Sequence, residues 1–355
     1  MDFIYKFPVV KGVQAGKEYY IAMVPLNMLT KLFPSNEDEF VLPEYRAQRK
    51  LNEARIPVIS KYILENRDSY VFSALAASID GKYKFMPSGL NNDTGMLEVS
   101  MDSKFLINDG QHRKSAILEA LREDESLGDE TISIVFYADK GLERSQQIFT
   151  DLNKNAVKTS NSIAELYDSR DEMAVMTRNV IWNIEFLNLY TDKEKDILGK
   201  FSSSLFTLNT FYTANKLIVG RNIGKNAEAF LNEYWSHIVK NMQQWQELQN
   251  KEITKVDLRE NYIATQSIVI QALGRVGNYF YVHSDVNMDE YIERLGNINW
   301  NRNSKTWLMR AIGKNGRIIT NKKATLLIGN IIKIEMGIPL SQEELDAEES
   351  HKKIV

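Results

Sequence analysis

The sequence predicts a mixed α/β (α+β) N-terminal domain followed by a mostly α-helical C-terminal domain. Three observations carry that prediction. Up to about residue 160, short apolar runs alternate with amphipathic stretches, the pattern of strands and helices that share one sheet. Beyond Ser162, apolar residues recur at helical spacing over helical lengths. No repeat, low-complexity tract or Gly/Ser linker interrupts the chain, so 355 residues divide into two ordinary domains, 1–162 and 163–355.

Taken in order, residues 1–35 read as short strands around a turn, punctuated by Gly12 and Gly16, with EYYIAMVPL as one strand. The stretch LPEYRAQRKLNEARIPVISKYILENRD has a helical pattern broken at Pro57, with Ile59, Tyr62 and Ile63 on one face. YVFSALAASID is a continuous apolar run closed by the turn pair Asp80-Gly81, and GMLEVSM alternates as a strand. FLINDGQHRKSAILEALRED begins as a strand, turns at Asp109-Gly110 and runs into an amphipathic helix. TISIVFYAD is a buried strand, LERSQQIFTDLNKN a helix, and AVKTSNSI a loop. Four further stretches have helical period: residues 166–187, 226–249, 261–280 and 324–338.

The absence of cysteine excludes a disulfide framework, a Cys-ligated zinc site, an iron–sulfur cluster and a thiol nucleophile. The start, MDFIYKFPVVKG, lacks the basic and apolar regions of a signal peptide, and no apolar run reaches the ~18–20 residues of a membrane span. A cytoplasmic location with no membrane partner is expected. His112, His237, His283 and His351 show no metal-ligand spacing, and Walker A, Rossmann and serine-hydrolase fingerprints are missing.

The turn at Asp109, Gly110, Gln111, His112 and Arg113 has the makings of an anion site. A glycine turn between strand and helix points unpaired N–H groups outward, and the helix dipole adds positive potential there. His112 and Arg113 are candidates for charge-assisted hydrogen bonds to a phosphate, Asp109 for capping the turn or holding a metal ion, and Gln111 for orienting a water. A purely structural Asp-Gly turn is the alternative reading of the same residues.

The stretch INDGQHRKSA resembles the DGQHR motif that names a bacterial family, which includes DndB, a regulator associated with DNA phosphorothioate modification clusters. It is also similar to the G-x-x-R-x-x-A box of ParB-type nucleotide-binding domains, with Gly110, Arg113 and Ala116 in register. A related sulfiredoxin loop has a reactive cysteine where this chain has Gln111, which rules out sulfur redox chemistry of that kind. The second matching stretch, QIFTDLNKNAVKTSNSI, resembles the segment that follows in the DGQHR family. By that resemblance Asp151, Asn153, Lys154 and Asn155 face the same pocket as His112 and Arg113; a polar helix end is the plainer reading. A third block, AQRKLNEARIPVISKYILENRDSYVF, resembles the N-terminal ParB-type block and brings Arg46, Arg49 and Arg55 as candidate phosphate contacts, of nucleotide or DNA; a solvated helix face is the plainer reading for at least one of them. The resemblance to DndB extends over nearly the whole chain. It implies a ParB/sulfiredoxin-like first domain and ATP or CTP with Mg²⁺ as candidate cofactors, with the ion near Asp109 or Asp151.

The net charge is −3, yet from Arg294 through Ile334 there are nine Lys/Arg and no Asp or Glu. Such a local excess is an electrostatic footprint for nucleic acid. Arg302, Lys305, Arg310, Lys314, Arg317, Lys322 and Lys323 are the candidate DNA contacts, and helix–KNGR–turn–helix between Trp307 and Met336 is the candidate reading element. The alternative has Trp300 and Trp307 in the core and the cations paired with the acidic tail, Glu343 to Glu349. The resulting expectation is a DNA-binding transcriptional repressor of a modification gene cluster, acting as a homodimer on promoter DNA. A ParB-like NTPase acting on DNA and a non-enzymatic interaction subunit of the modification complex are the other readings.

Overall fold

Alternation of apolar residues with period two builds the sheet of the first half. The computed structural model describes residues 3–34, 53–89, 92–137, 142–154, 159–199 and 202–353. They fall into two units, Met1–Val157 and Lys158–Val355.

In the first unit, β1 (Ile4–Gln14) and β2 (Lys17–Pro25) form a hairpin whose two-residue turn, Ala15 and Gly16, has φ of 51° and 75°. That left-handed pair matches the twist of the flanking strands. Gly12, expected to punctuate the segment, lies inside β1 opposite Tyr19. The chain continues through α1 (Leu29–Leu32), α2 (Ile56–Glu65), β3 (Leu75–Asp80), β4 (Tyr83–Pro87), β5 (Thr94–Ser100) and β6 (Lys104–Asp109). It ends with α3 (Gln111–Glu123), β7 (Thr131–Tyr137) and α4 (Leu142–Lys154). Pro57 lies in the first turn of α2, where its missing N–H has no partner to lose; the part of that predicted helical stretch before residue 53 lies outside the described residues. The strands join in the order β4-β5-β1-β2-β7-β3-β6, antiparallel except for the parallel β3–β7 pair. Phe7 and Val9, Tyr20, Ala22 and Val24, Leu97 and Val99, and Ile132, Ile134 and Phe136 line one face. Ile117 and Ala120 of α3 and Ile63 of α2 belong to the same core. β3 carries five buried residues in a row because both its faces are covered, which is why it read as a continuous apolar run.

The second unit is helical: α5 (Asn161–Tyr167), α6 (Glu172–Asn183), α7 (Glu185–Tyr190), α8 (Leu208–Val219), α9 (Ala227–Asn241) and α10 (Gln243–Gln249). These are followed by α11 (Lys255–Asn261), α12 (Ser267–Val282), α13 (Met288–Ile292), α14 (Lys322–Met336) and α15 (Gln342–Lys352). A two-residue parallel pair joins Thr191–Asp192 to Phe206–Thr207. Its core holds Trp235, Trp245, Trp300 and Trp307, all fully buried. α8 and α12 pack closely because residue 274 is glycine: a Cβ there would lie 2.6 Å from the carbonyl oxygen of Ala214. Among the described residues, no helix is long and apolar enough to cross a membrane.

Candidate functional site

Asp109 ends β6, and Gly110 makes the turn with φ 97° before α3 begins at Gln111. Glycine is required there twice over. The backbone is left-handed, and a Cβ would lie 2.3 Å from Leu75 Cδ2. No side chain caps α3. Its first amides therefore retain the anion-binding character of an open helix start.

Arg113 does something other than the expected phosphate contact. Its Nη1 donates to the carbonyl oxygens of Ser73 (2.6 Å) and Ala74 (2.9 Å), and its Nη2 donates to Asp109 Oδ2 at 2.5 Å. The guanidinium thus fastens the end of β6 to the entry of β3, and the Asp109 carboxylate is taken up in that brace rather than in capping the turn. Gln111 and His112 lie half-buried at the helix start. Lys114 is a residue the motif reading missed. It is 6% exposed, and no side-chain partner is present among the described residues. Burial pushes its ammonium below the usual lysine range. A lysine directly after DGQHR was the available signal; its burial was not readable.

α4 is fixed beside this turn. Asn108 Nδ2 donates to the carbonyl oxygen of Ser145, and Asn108 Oδ1 accepts from Ser78 Oγ, all three residues buried. Asp151 lies six residues further along α4, about 9 Å at the helical rise. It lines a cleft of about 560 Å³ with Tyr19, Tyr83 and Tyr137, and residues 109–113 are not part of that lining. Its Oδ1 accepts from Gln147. Asn153 and Lys154 lie on α4, but their side chains, and the whole of Asn155, Arg46 and Arg49, lie outside the described residues. Arg55 is exposed just before α2. Among the described residues, no group of three or more His, Asp or Glu could hold a metal ion.

The basic stretch of the second unit divides in two. Arg310 is a correction: it is 8% exposed and forms a two-pronged ion pair with Glu348, at 2.6 and 2.5 Å. Asn330 adds a hydrogen bond to the same carboxylate. An arginine held in this way has no fork left for DNA. Lys333 is likewise paired with Glu344, at 2.7 and 2.9 Å. Burial pushes both carboxyls up, but the hydrogen bonds from Arg310 and Asn330, and from Lys333 and Ser341, hold them below the usual range. Trp300 and Trp307 are core residues, stacked at 5.3 Å.

By contrast Lys305, Lys314, Arg317, Lys322 and Lys323 are exposed, with no ion pair among the described residues. Lys314 and Arg317 flank a tight turn in which Gly313 N donates to the Arg317 carbonyl and Gly316 has φ 73°. Arg302 braces this turn through Nη2 to the Gly316 carbonyl. Lys322 and Lys323 open α14 behind the Asn321 cap, where the helix dipole is positive and disfavours them. The candidate helix-turn-helix between Trp307 and Met336 does not form: between the three-residue 3₁₀ turn Lys305–Trp307 and α14 the chain has no helix.

One ionisable group elsewhere was not legible at all. Glu165 on α5 is 9% exposed, and its Oε2 has no hydrogen-bond partner. Burial, with the nearby Asp196 and Asp171 carboxylates, pushes its carboxyl up to about 8.

No curated protein and no solved structure matches the chain. Residues 7–339 match the family DndB, described as DNA-sulfur modification-associated. That match spans nearly the whole chain and both units, so the protein belongs to the DndB family and takes part in DNA sulfur modification.

Proposed function

We propose that this protein is a DNA-binding regulator of a DNA sulfur-modification gene cluster. The observation that carries the reading is the set of exposed cations between Lys305 and Lys323, with no ion pair among the described residues, in a chain whose net charge is −3. Acidic side chains of α15 take up Arg310 and Lys333, yet these five cations have no carboxylate partner among the described residues. Unpaired cations on a turn and at a helix start suit backbone phosphates, because each phosphate they neutralise releases condensed counterions. Repression follows if the occupied DNA is the promoter of the cluster, and a homodimer would match a two-fold operator.

A ParB-like nucleotide switch is the second reading, and Lys114 favours it. A buried cation with no counter-charge among the described residues, one turn behind uncapped amides, would be stabilised by a phosphate on the Gly110–Gln111 turn. In this reading Arg113 shapes the turn, Lys114 supplies the charge, and the ligand is ATP or CTP with Mg²⁺.

The test is anisotropy of a labelled promoter duplex from the protein's own gene cluster, over a salt series, with and without ATP or CTP and Mg²⁺. Replacing Lys314, Arg317, Lys322 and Lys323 together by Gln should weaken binding and reduce the slope of log K against log salt by roughly one for each phosphate no longer neutralised. An unchanged slope would sink the DNA-binding reading. Nucleotide-dependent binding that Lys114→Met abolishes would favour the switch.

A further inference from the structure

The second unit contains a cavity of about 760 Å³ where the start of α12 meets the start of α8. The two helix starts differ. At α8, Thr207 accepts from the Thr210 amide and its hydroxyl bonds that of Thr210, so the end is closed. At α12, the residue before the helix, Gln266, makes no capping bond. The first amides of this 16-residue helix therefore have no side-chain acceptor, and the dipole puts positive potential at that end. Thr265, which lines the cavity, is 6% exposed, and its hydroxyl has no hydrogen-bond partner among the described residues. A hydroxyl on the wall of a cavity with no protein partner is available to donate to a ligand there.

Two arginines complete the lining. Arg302 is brought there by the backbone: Ile263 N donates to the Trp300 carbonyl and Arg302 N to the Asn261 carbonyl, which ties 300–302 to the approach to α12. One of its nitrogens braces Gly316, and the other guanidinium donors remain. Arg259 lies on the opposite wall, fastened to the carbonyls of Gly199 and Ser204. Two carboxylates also line the space. Asp196 accepts from the amides of Asn161 and Ser162 and from the Ser162 hydroxyl, so it caps α5. Glu260 is exposed.

We propose that this cavity binds a phosphate group, held by the α12 amides, the Thr265 hydroxyl and the Arg302 guanidinium. Helix amides, a hydroxyl and a planar cation converging on one space are the donor set that phosphate oxygens require. The group could belong to a DNA backbone or to a small phosphorylated molecule; the donor set is the same for both. The proposal does not depend on the exposed cations of residues 305–323 contacting DNA.

The experiment uses the full chain with two probes: inorganic phosphate by calorimetry at constant ionic strength, and a short labelled duplex by anisotropy. The variants are Thr265→Val, which keeps the shape and removes the donor, and Arg302→Gln. Each should weaken binding about tenfold, the loss of one hydrogen bond to a charged acceptor. Arg302→Lys should recover part of the loss, and thermal unfolding of Thr265→Val reports that the fold is kept. Weakening of both probes assigns the site to the DNA backbone; weakening of phosphate alone assigns it to a small phosphorylated ligand. Either supports the proposal. No saturable binding of either probe, or affinities unchanged in both variants, overturns it. The quadruple Gln variant at residues 314, 317, 322 and 323 separates the two readings. It should leave phosphate affinity intact whether or not DNA binding is lost.

Discussion

Arg310 and Arg317 are seven residues apart in one basic stretch, and the structure treats them in opposite ways. Arg310 is buried against Glu348 and Asn330 between α14 and α15, while Arg317 stands exposed on a turn with no counter-charge among the described residues. In one dimension they contribute equally to a charge excess. In three dimensions the first belongs to the core of the helical unit and the second to its surface. A cation in a basic run is informative about a partner only after the carboxylates packed on it have been subtracted. Here the subtraction removes Arg310 and Lys333; of the seven that remain, Arg294 and Arg302 are tied to backbone carbonyls, which leaves Lys305, Lys314, Arg317, Lys322 and Lys323.

The sharpest way to break this comparison is Arg310→Ala. It strands the Glu348 carboxylate in a buried site, so unfolding in urea should show a loss of about 3–5 kcal/mol. The double variant Arg310→Met with Glu348→Leu should lose far less. A loss under about 1 kcal/mol for the single variant would mean that Arg310 is not the buried anchor described.

Glu165 is the converse case, a buried carboxyl with no cation paired to it among the described residues. Its folded value, about 8, lies above the ordinary 4.5, so the folded state holds the proton more tightly. The stability it contributes is present at low pH and is lost as pH rises from about 4.5 to about 8. Between about pH 5 and about pH 7, up to about 3 kcal/mol should disappear, and Glu165→Gln should flatten that part of the profile. A Gln variant with the same pH dependence as the native chain would remove the assignment.

Arg113 comes next. As a brace between Asp109 and the carbonyls of Ser73 and Ala74, its replacement by Ala should cost about 2 kcal/mol in urea unfolding. An Ala variant as stable as the native chain would return Arg113 to the role of a phosphate ligand. The smallest effect belongs to the exposed cations. The quadruple Gln variant should shift stability by less than about 0.5 kcal/mol per site while moving the salt dependence of DNA binding. A large loss of stability there would mean that these side chains have partners after all.

Much of the architecture was legible because it is periodic. Apolar runs at strand length gave β2 and β7, alternation gave β5, and helical spacing gave α9, α12 and α14. The glycine turn at 110 was legible because only glycine accepts φ 97° beside Leu75. β4 escaped because it is an edge strand with mostly exposed residues, so no alternation marks it. The acidic tail did not read as a helix because its apolar members are few, and it is fixed by a capping box, Ser341 with Glu344, and by its ion pairs.

The sequence by itself determined the DGQHR turn, the mixed first half, the helical second half and the location of the basic run, all of which depend on residues near one another along the chain. Only the tertiary structure decided that Arg113 is a brace, that Lys114 and Glu165 are buried with no ion pair among the described residues, that Arg310 faces Glu348, and that Arg302 stands at the start of α12. The physical reason is the same in each case. The free energy of a charge is set by its solvent access and its counter-charges, and those come from segments brought together by packing rather than by sequence.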